Sequence, residues 1–129
     1  MVNKISEAKL QIRKVLADMN KIKVFLDDDT EALKRREWAQ GYDIWVTTPE
    51  EAIDLLKKSN VSHISLDHDL GLEPDTRNGY MVASFIEKAA YYNEIPRLEW
   101  KIHSQNPRGR ENMAAALQSA DRFWSKYEK

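Results

Sequence analysis

Two short apolar runs that end abruptly in carboxylates constrain this chain more than any other feature. Val24, Phe25 and Leu26 lead into Asp27, Asp28 and Asp29, and Ile64, Ser65 and Leu66 lead into Asp67, His68 and Asp69. A continuous apolar run bounded by polar residues reads as a buried parallel strand. Amphipathic segments separate such runs. "YDIWV" at 42–46 gives a second strand, and "TTPEEAIDLLKK" after it opens a helix by rule. Thr48 is the N-cap, Pro49 takes the first helical position and Glu51 completes a capping box. Residues 79–92 put Met81, Val82, Phe85, Ile86 and Ala89 on one helical face. "LEWKIHS" alternates Leu98, Trp100 and Ile102 against Glu99 and Lys101, as an edge strand does, and a last helix carries Met113, Ala116, Leu117, Ala120 and Trp124 on its stripe. "TEALKRREWA" at 30–39 is a weak polar helix or a loop.

Strands alternating with helices require a parallel sheet with helices on both faces. The expected fold is a doubly wound α/β domain of about four strands. Residues 4–20 add an N-terminal helix with Ile5, Ala8, Ile12, Val15, Leu16 and Met19 on one stripe. The expected division is a helical extension over 1–20 and one α/β domain over 21–129. At 129 residues one core is expected, and 42% apolar residues suffice to build it. The net charge of −1 gives no electrostatic case for general DNA binding. Cysteine is absent, which removes disulfides and thiolate metal sites. The charged opening "MVNKISEAKLQIRKVL" argues against a signal peptide, and no apolar run approaches the length of a membrane span. The expected setting is cytoplasmic.

Ligands of such sheets bind beyond the carboxyl ends of the strands. Here those ends are Asp27–Asp28–Asp29, Thr47–Thr48, Asp67–His68–Asp69 and His103–Ser104–Gln105–Asn106. The fold would bring the two acidic clusters to one rim, where like charges repel unless a cation shares them. Asp27, Asp28 and Asp67 are therefore the candidate ligands. Oxygen donors without cysteine favour Mg²⁺, Mn²⁺ or Ca²⁺ over Zn²⁺. Asp29 and Asp69 serve equally well as turn formers or caps. His63 reads as structural, at the start of the third strand on the opposite rim, and His68 as functional. Pro107 and Gly109 open the last helix beside Arg108 and Arg110, a setting for an anion, with Arg110 preferred.

Three segments together resemble the cyclic-phosphate-processing receiver-like domains of bacteria and phages: "FLDDD" (25–29), "ISLDHDLG" (64–71) followed by "NGY" (78–80), and "IHSQNPRGRENM" (102–113). With their spacing they cover residues 22 to about 124. The resemblance implies a receiver-like (flavodoxin-like) sheet that keeps the acidic metal pocket of response regulators. It also implies added histidines and an activity on cyclic phosphates of nucleotides or RNA ends. Asp27, Asp28 and Asp67 match the acidic positions, and His68, Asp69, His103, Ser104, Asn106 and Arg110 match the added polar ones. Two departures stand out: Thr30 where many members carry Arg, and the N-terminal helix, which either covers the edge left by a missing fifth strand or mediates a homodimer.

The resulting expectation is a metal-dependent phosphoesterase. Asp27, Asp28 and Asp67 hold the cation, Mg²⁺ or Mn²⁺. Arg110, Ser104 and Asn106 bind the phosphate. His68 and His103 transfer protons in an order that sequence does not assign, with Asp69 orienting His68. Asp67 is the alternative nucleophile. Two non-hydrolytic readings stand beside it: a phosphoacceptor signalling module, disfavoured because the Lys that follows a receiver's fifth strand is missing, and a non-catalytic binder. By period two His103 shares a face with Glu99 and Lys101, so its replacement is expected to cost little stability.

Overall fold

The structure is a computed structural model that describes residues 7–9, 11, 12, 15 and 20–128. Among them the chain forms β1 (Lys21–Leu26), α1 (Leu33–Trp38), β2 (Ile44–Val46), α2 (Pro49–Lys58), β3 (Asn60–Leu66), α3 (Gly79–Tyr91), β4 (Glu99–Ile102) and α4 (Pro107–Tyr127). The strands make one parallel sheet in the order β2-β1-β3-β4. This is the receiver-like α/β arrangement expected from the sequence, with the most buried strands, β1 and β3, at the centre.

Register decides where the polar strand ends go. Leu26 pairs with Val46 on one side and with Leu66 on the other, and Leu66 pairs with Ile102. The next residues therefore form one row across the rim. The ladder runs one step further: the N–H groups of Asp27, Asp67 and His103 donate to the carbonyls of Val46, Leu26 and Leu66 at 3.0–3.1 Å.

Strand alternation sorts the two faces. Val24, Leu26, Val46, Ile64, Leu66 and Leu98 join Ala52, Leu56, Val82, Ile86, Met113, Leu117 and Trp124 in one core, so α2, α3 and α4 cover the same face of the sheet. The other face carries Phe25, Trp45, Ser65, Lys101 and His103. There Arg35 of α1 reaches Asp27 and Trp38 of α1 reaches the His103 ring. Helices do lie on both faces, but unevenly: with no fifth strand to cross to among the described residues, the chain returns after β4 to pack α4 against α3.

Two local readings change. β3 begins at Asn60, and its pairing with β1 skips Ser62, so Val61 and His63 face consecutive β1 residues across an irregularity. His63 is thus mid-strand rather than at the strand start. The polar Asn60 and Ser62 hide the strand's opening because they break the apolar run. His63 still stays clear of the carboxyl rim, bonding Ser62 Oγ at 2.9 Å and Glu99 Oε2 at 2.8 Å. The segment 30–39 resolves into a short helix after an Asx turn, in which Asp29 Oδ1 accepts from the N–H groups of Glu31 and Ala32. Asp29 is therefore a turn former.

Residues 7–9, 11, 12 and 15 of the N-terminal extension are helical, with Ile12 and Val15 exposed; Ile5, Leu16 and Met19 of the expected stripe lie outside the described residues. Among the described residues no helix is long and apolar enough to cross a membrane.

Gly79 starts α3 directly against the strand end: its N–H donates to the His68 carbonyl at 2.9 Å, and a Cβ placed there would collide with the Asp67 carbonyl oxygen. Backbone cannot yield as a flexible side chain can. Gly79→Ala is therefore expected to lower the unfolding free energy by about 1–3 kcal/mol, read by urea denaturation. Unchanged stability would show that α3 has room to slide.

Candidate functional site

Asp27 is fully buried, and every oxygen of it is engaged. Oδ2 accepts from Arg35 Nε and His103 Nε2, each at 2.9 Å, and Oδ1 accepts from the Asp29 N–H at 2.9 Å. Its carbonyl accepts from Trp45 Nε1 at 2.9 Å. Burial alone would raise the pKa; the His103 hydrogen bond, the Asp29 N–H and the charges of His103 and Arg35 outweigh it and hold the carboxyl below its ordinary range. Arg35 thus brings from α1 the guanidinium that Thr30 does not supply.

Asp67, 7% exposed, sits one strand over at the same level. Its Oδ1 accepts from the His68 N–H at 2.9 Å. Burial, and then the charge of Asp27, push its pKa up to about 6. One oxygen of each carboxylate and one ring nitrogen of His103 lie within 4.8 Å of one another. The group contains His103 in addition to Asp27 and Asp67. Asp28 points outward, exposed at the same strand end, with its Oδ2 close against Gly71. Burial and the neighbouring charges of Asp27 and Asp29 raise its pKa.

His103 is not a surface residue. Its side chain is 5% exposed, stacked on Phe25 with centroids 4.4 Å apart and planes 5° apart, and flanked by Trp38 at 5.8 Å. Nε2 faces Asp27 and Nδ1 lies 2.7 Å from Ser65 Oγ. A carboxylate can only accept, so Nε2 carries the hydrogen, and in the neutral ring Nδ1 accepts from the Ser65 hydroxyl. The expectation that His103 could be replaced at little cost is corrected here. Period two gave its face rightly, but that face is packed rather than wet.

His68 is held differently. Its Nδ1 bonds Asp69 Oδ1 at 2.8 Å, while Asn106 Nδ2 reaches Asp69 at 3.3 Å and His68 Nδ1 at 3.4 Å. Gly109 lets the start of α4 lie on the ring, since a Cβ there would fall 2.5–2.9 Å from ring atoms. Asp69 takes the Nδ1 hydrogen, so the lone pair of the neutral ring is on Nε2. That nitrogen has no partner among the described residues.

The remaining expected residues divide. Ser104 is buried and accepts the Asn106 N–H at 3.1 Å, and Asn106 caps α4 by accepting the Gly109 N–H at 3.0 Å. Both shape the loop under His68. Arg110 is exposed and unpaired among the described residues, beside a cavity of about 310 Å³. Sequence reasoning missed Ser65, Arg35 and Trp38. Ser65 was within reach, because it lies two residues before Asp67 and so on the same face.

A four-stranded parallel sheet in this order, with buried acids closing its two central strands, defines a receiver-like α/β domain. Within that class, the model of the cyclic-phosphate processing receiver domain matches residues 22–119, and the chain belongs to this family. A search of curated proteins found no match.

Proposed function

We propose that the domain hydrolyses a cyclic phosphate on a nucleotide or an RNA end with the help of a divalent cation. The observation that carries this reading is the row Asp27–Asp67–His103 beside a histidine whose Nε2 is unengaged, in a member of this family. The carboxylate oxygens of Asp27 and Asp67 suit Mg²⁺ or Mn²⁺. Asp67 repelled by Asp27 is a carboxylate that a cation would relieve. Asp28 stands exposed at the same strand end, within the expected ligand set. A cation held there supplies positive charge against the negative charge that develops on the phosphoryl oxygens.

The protein's own groups have separable tasks. His68 Nε2 takes a proton from the water that attacks phosphorus, with Asp69 holding the ring and compensating its charge. As the new P–O bond forms, the bond to one ribose oxygen breaks, and that oxygen takes up a proton from solvent; the product is a phosphomonoester. His103, bound at both nitrogens, is the anchor of the row rather than the proton carrier. Arg110 offers a guanidinium to a phosphate oxygen. The activity is assigned to residues 21–129 of a cytoplasmic protein. Residues 1–20 are assigned as a separate extension that covers the sheet edge or pairs two copies.

One observation favours a second reading. Arg35 and His103 already occupy the Asp27 carboxylate, so the pocket could bind a cyclic phosphate without turning it over. Incubation with Mg²⁺ or Mn²⁺ and 2′,3′-cyclic nucleotides or cyclic-phosphate RNA ends separates the two. The expected result is metal-dependent ring opening, read by chromatography of the monoester and absent from Asp67→Asn. Binding without product at either metal would replace catalysis with the binder.

A further inference from the structure

Outside the row just described, the structure holds an unassigned cavity of about 310 Å³ on the His103 side of the sheet, lined by Trp38, Ser65, Lys101, His103, Gln105 and Arg110 among others. Three features are unusual together. Trp38 is 39% exposed although it lies on a six-residue helix with no buried residue. It is held in place, with the Arg35 guanidinium 5.0 Å from its ring centroid and the His103 ring 5.8 Å away. In the same lining, the side chains of Lys101 and Arg110 have no hydrogen-bond or ion-pair partner among the described residues, although the chain carries as many acids as bases to within one charge.

An exposed, fixed indole and two unpaired cations lining one cavity match the chemistry of a nucleotide, a flat π-system joined to phosphate. A cavity of this size lies at the lower end of small-ligand sites. His103 belongs both to the cavity wall and to the acidic row, so one ligand can span the two.

We infer that this cavity is the nucleobase subsite: the base stacks on Trp38, the Gln105 amide meets its polar edge, and Lys101 and Arg110 hold a phosphate of the nucleotide. The inference rests on the cyclic-phosphate reading and narrows it. The substrates are base-bearing cyclic phosphates, whether free nucleotides or RNA ends, rather than base-free ones such as cyclic glycerol phosphate.

The test uses probes that need no ring opening. Adenosine, the four nucleoside 5′-monophosphates and inorganic phosphate are titrated against the full chain by calorimetry, with Trp38→Ala, Trp38→Phe and Arg110→Ala alongside. Monophosphates should bind wild type at least about tenfold more tightly than Trp38→Ala, with Trp38→Phe retaining most of the affinity, since either ring can stack. Arg110→Ala should weaken monophosphates and leave adenosine unchanged. Circular dichroism checks that Trp38→Ala remains folded; if it does not, the Phe variant and the adenosine titration of wild type still decide. Wild type binding no nucleoside or monophosphate, or binding them equally with and without Trp38, overturns the inference. The two readings fail separately. Trp38-dependent binding without ring opening removes only the catalytic one. Equal turnover of cyclic glycerol phosphate and cyclic nucleotides, insensitive to Trp38→Ala, removes only the base subsite. A single short oligonucleotide ending in a cyclic phosphate, compared with the free cyclic nucleotide, tells an RNA end from a mononucleotide.

Discussion

His103→Ala should reduce ring opening by about a hundredfold or more and lower the unfolding free energy by about 2–4 kcal/mol. Both losses have one origin. The ring fills the space between Phe25 and Trp38, so its removal leaves a cavity. Removal also strips one of two charge-assisted partners from the fully buried Asp27 and leaves the buried Ser65 hydroxyl without its acceptor. Arg35 still holds Asp27, which keeps the cost below that of an isolated buried charge. Steady-state kinetics on a 2′,3′-cyclic nucleotide and urea denaturation measure the two effects. A variant that melts and turns over like wild type would place His103 outside the site, which would then reduce to Asp27 and Asp67.

The reach of the sequence can be traced residue by residue. The apolar runs ahead of Asp27 and Asp67 mark two central strands, and their parallel pairing, Leu26 beside Leu66, puts both acids on one rim. His103 was legible as a strand-end residue, but period two tells only which face a side chain takes. Whether that face is wet depends on what crosses it, here Phe25 from β1 and Trp38 from α1, residues 78 and 65 positions away in the chain. Arg35 and Trp38 were not legible at all. Their approach to Asp27 and His103 depends on the path of the loop after Asp29, and the Asx turn that sets it has no long-range signature. The assignment of the two histidines was likewise beyond sequence: both follow strands beside polar neighbours, and only the bonds at each nitrogen tell the anchored ring from the one with an unengaged Nε2. Ser104 and Asn106, expected at the phosphate, illustrate the converse, since a polar residue before a helix serves the helix first.

Asp67→Asn should reverse its effect on stability when metal is added, and the sign follows from the carboxyl's pKa. In the folded protein that pKa is raised to about 6 by burial and by the charge of Asp27, whereas an unfolded Asp titrates near its ordinary value of about 4. The folded state therefore holds the proton more tightly, and stability falls as pH rises from about 4 to 6. Above that window the full penalty is present, about 3 kcal/mol. Asparagine keeps the shape and cannot ionise, so metal-free Asp67→Asn should outlast wild type at pH 7 by up to that amount and should lack the fall between pH 4 and 6. Asp27 works in the opposite sense and in a different window. Its lowered pKa contributes stability above the ordinary range, which is lost only as the pH drops through the folded value, so it does not mask the Asp67 effect. Saturating Mn²⁺ at pH 7 should then raise wild type by mass action, about 4.1 kcal/mol at a thousandfold excess over the dissociation constant, and leave the variant where it was. Thermal melts of both proteins across pH 4–8, with and without Mn²⁺, contain the whole test. Parallel pH profiles would mean that Asp67 is not strained in the free protein, and identical responses to the cation would remove it from the metal site.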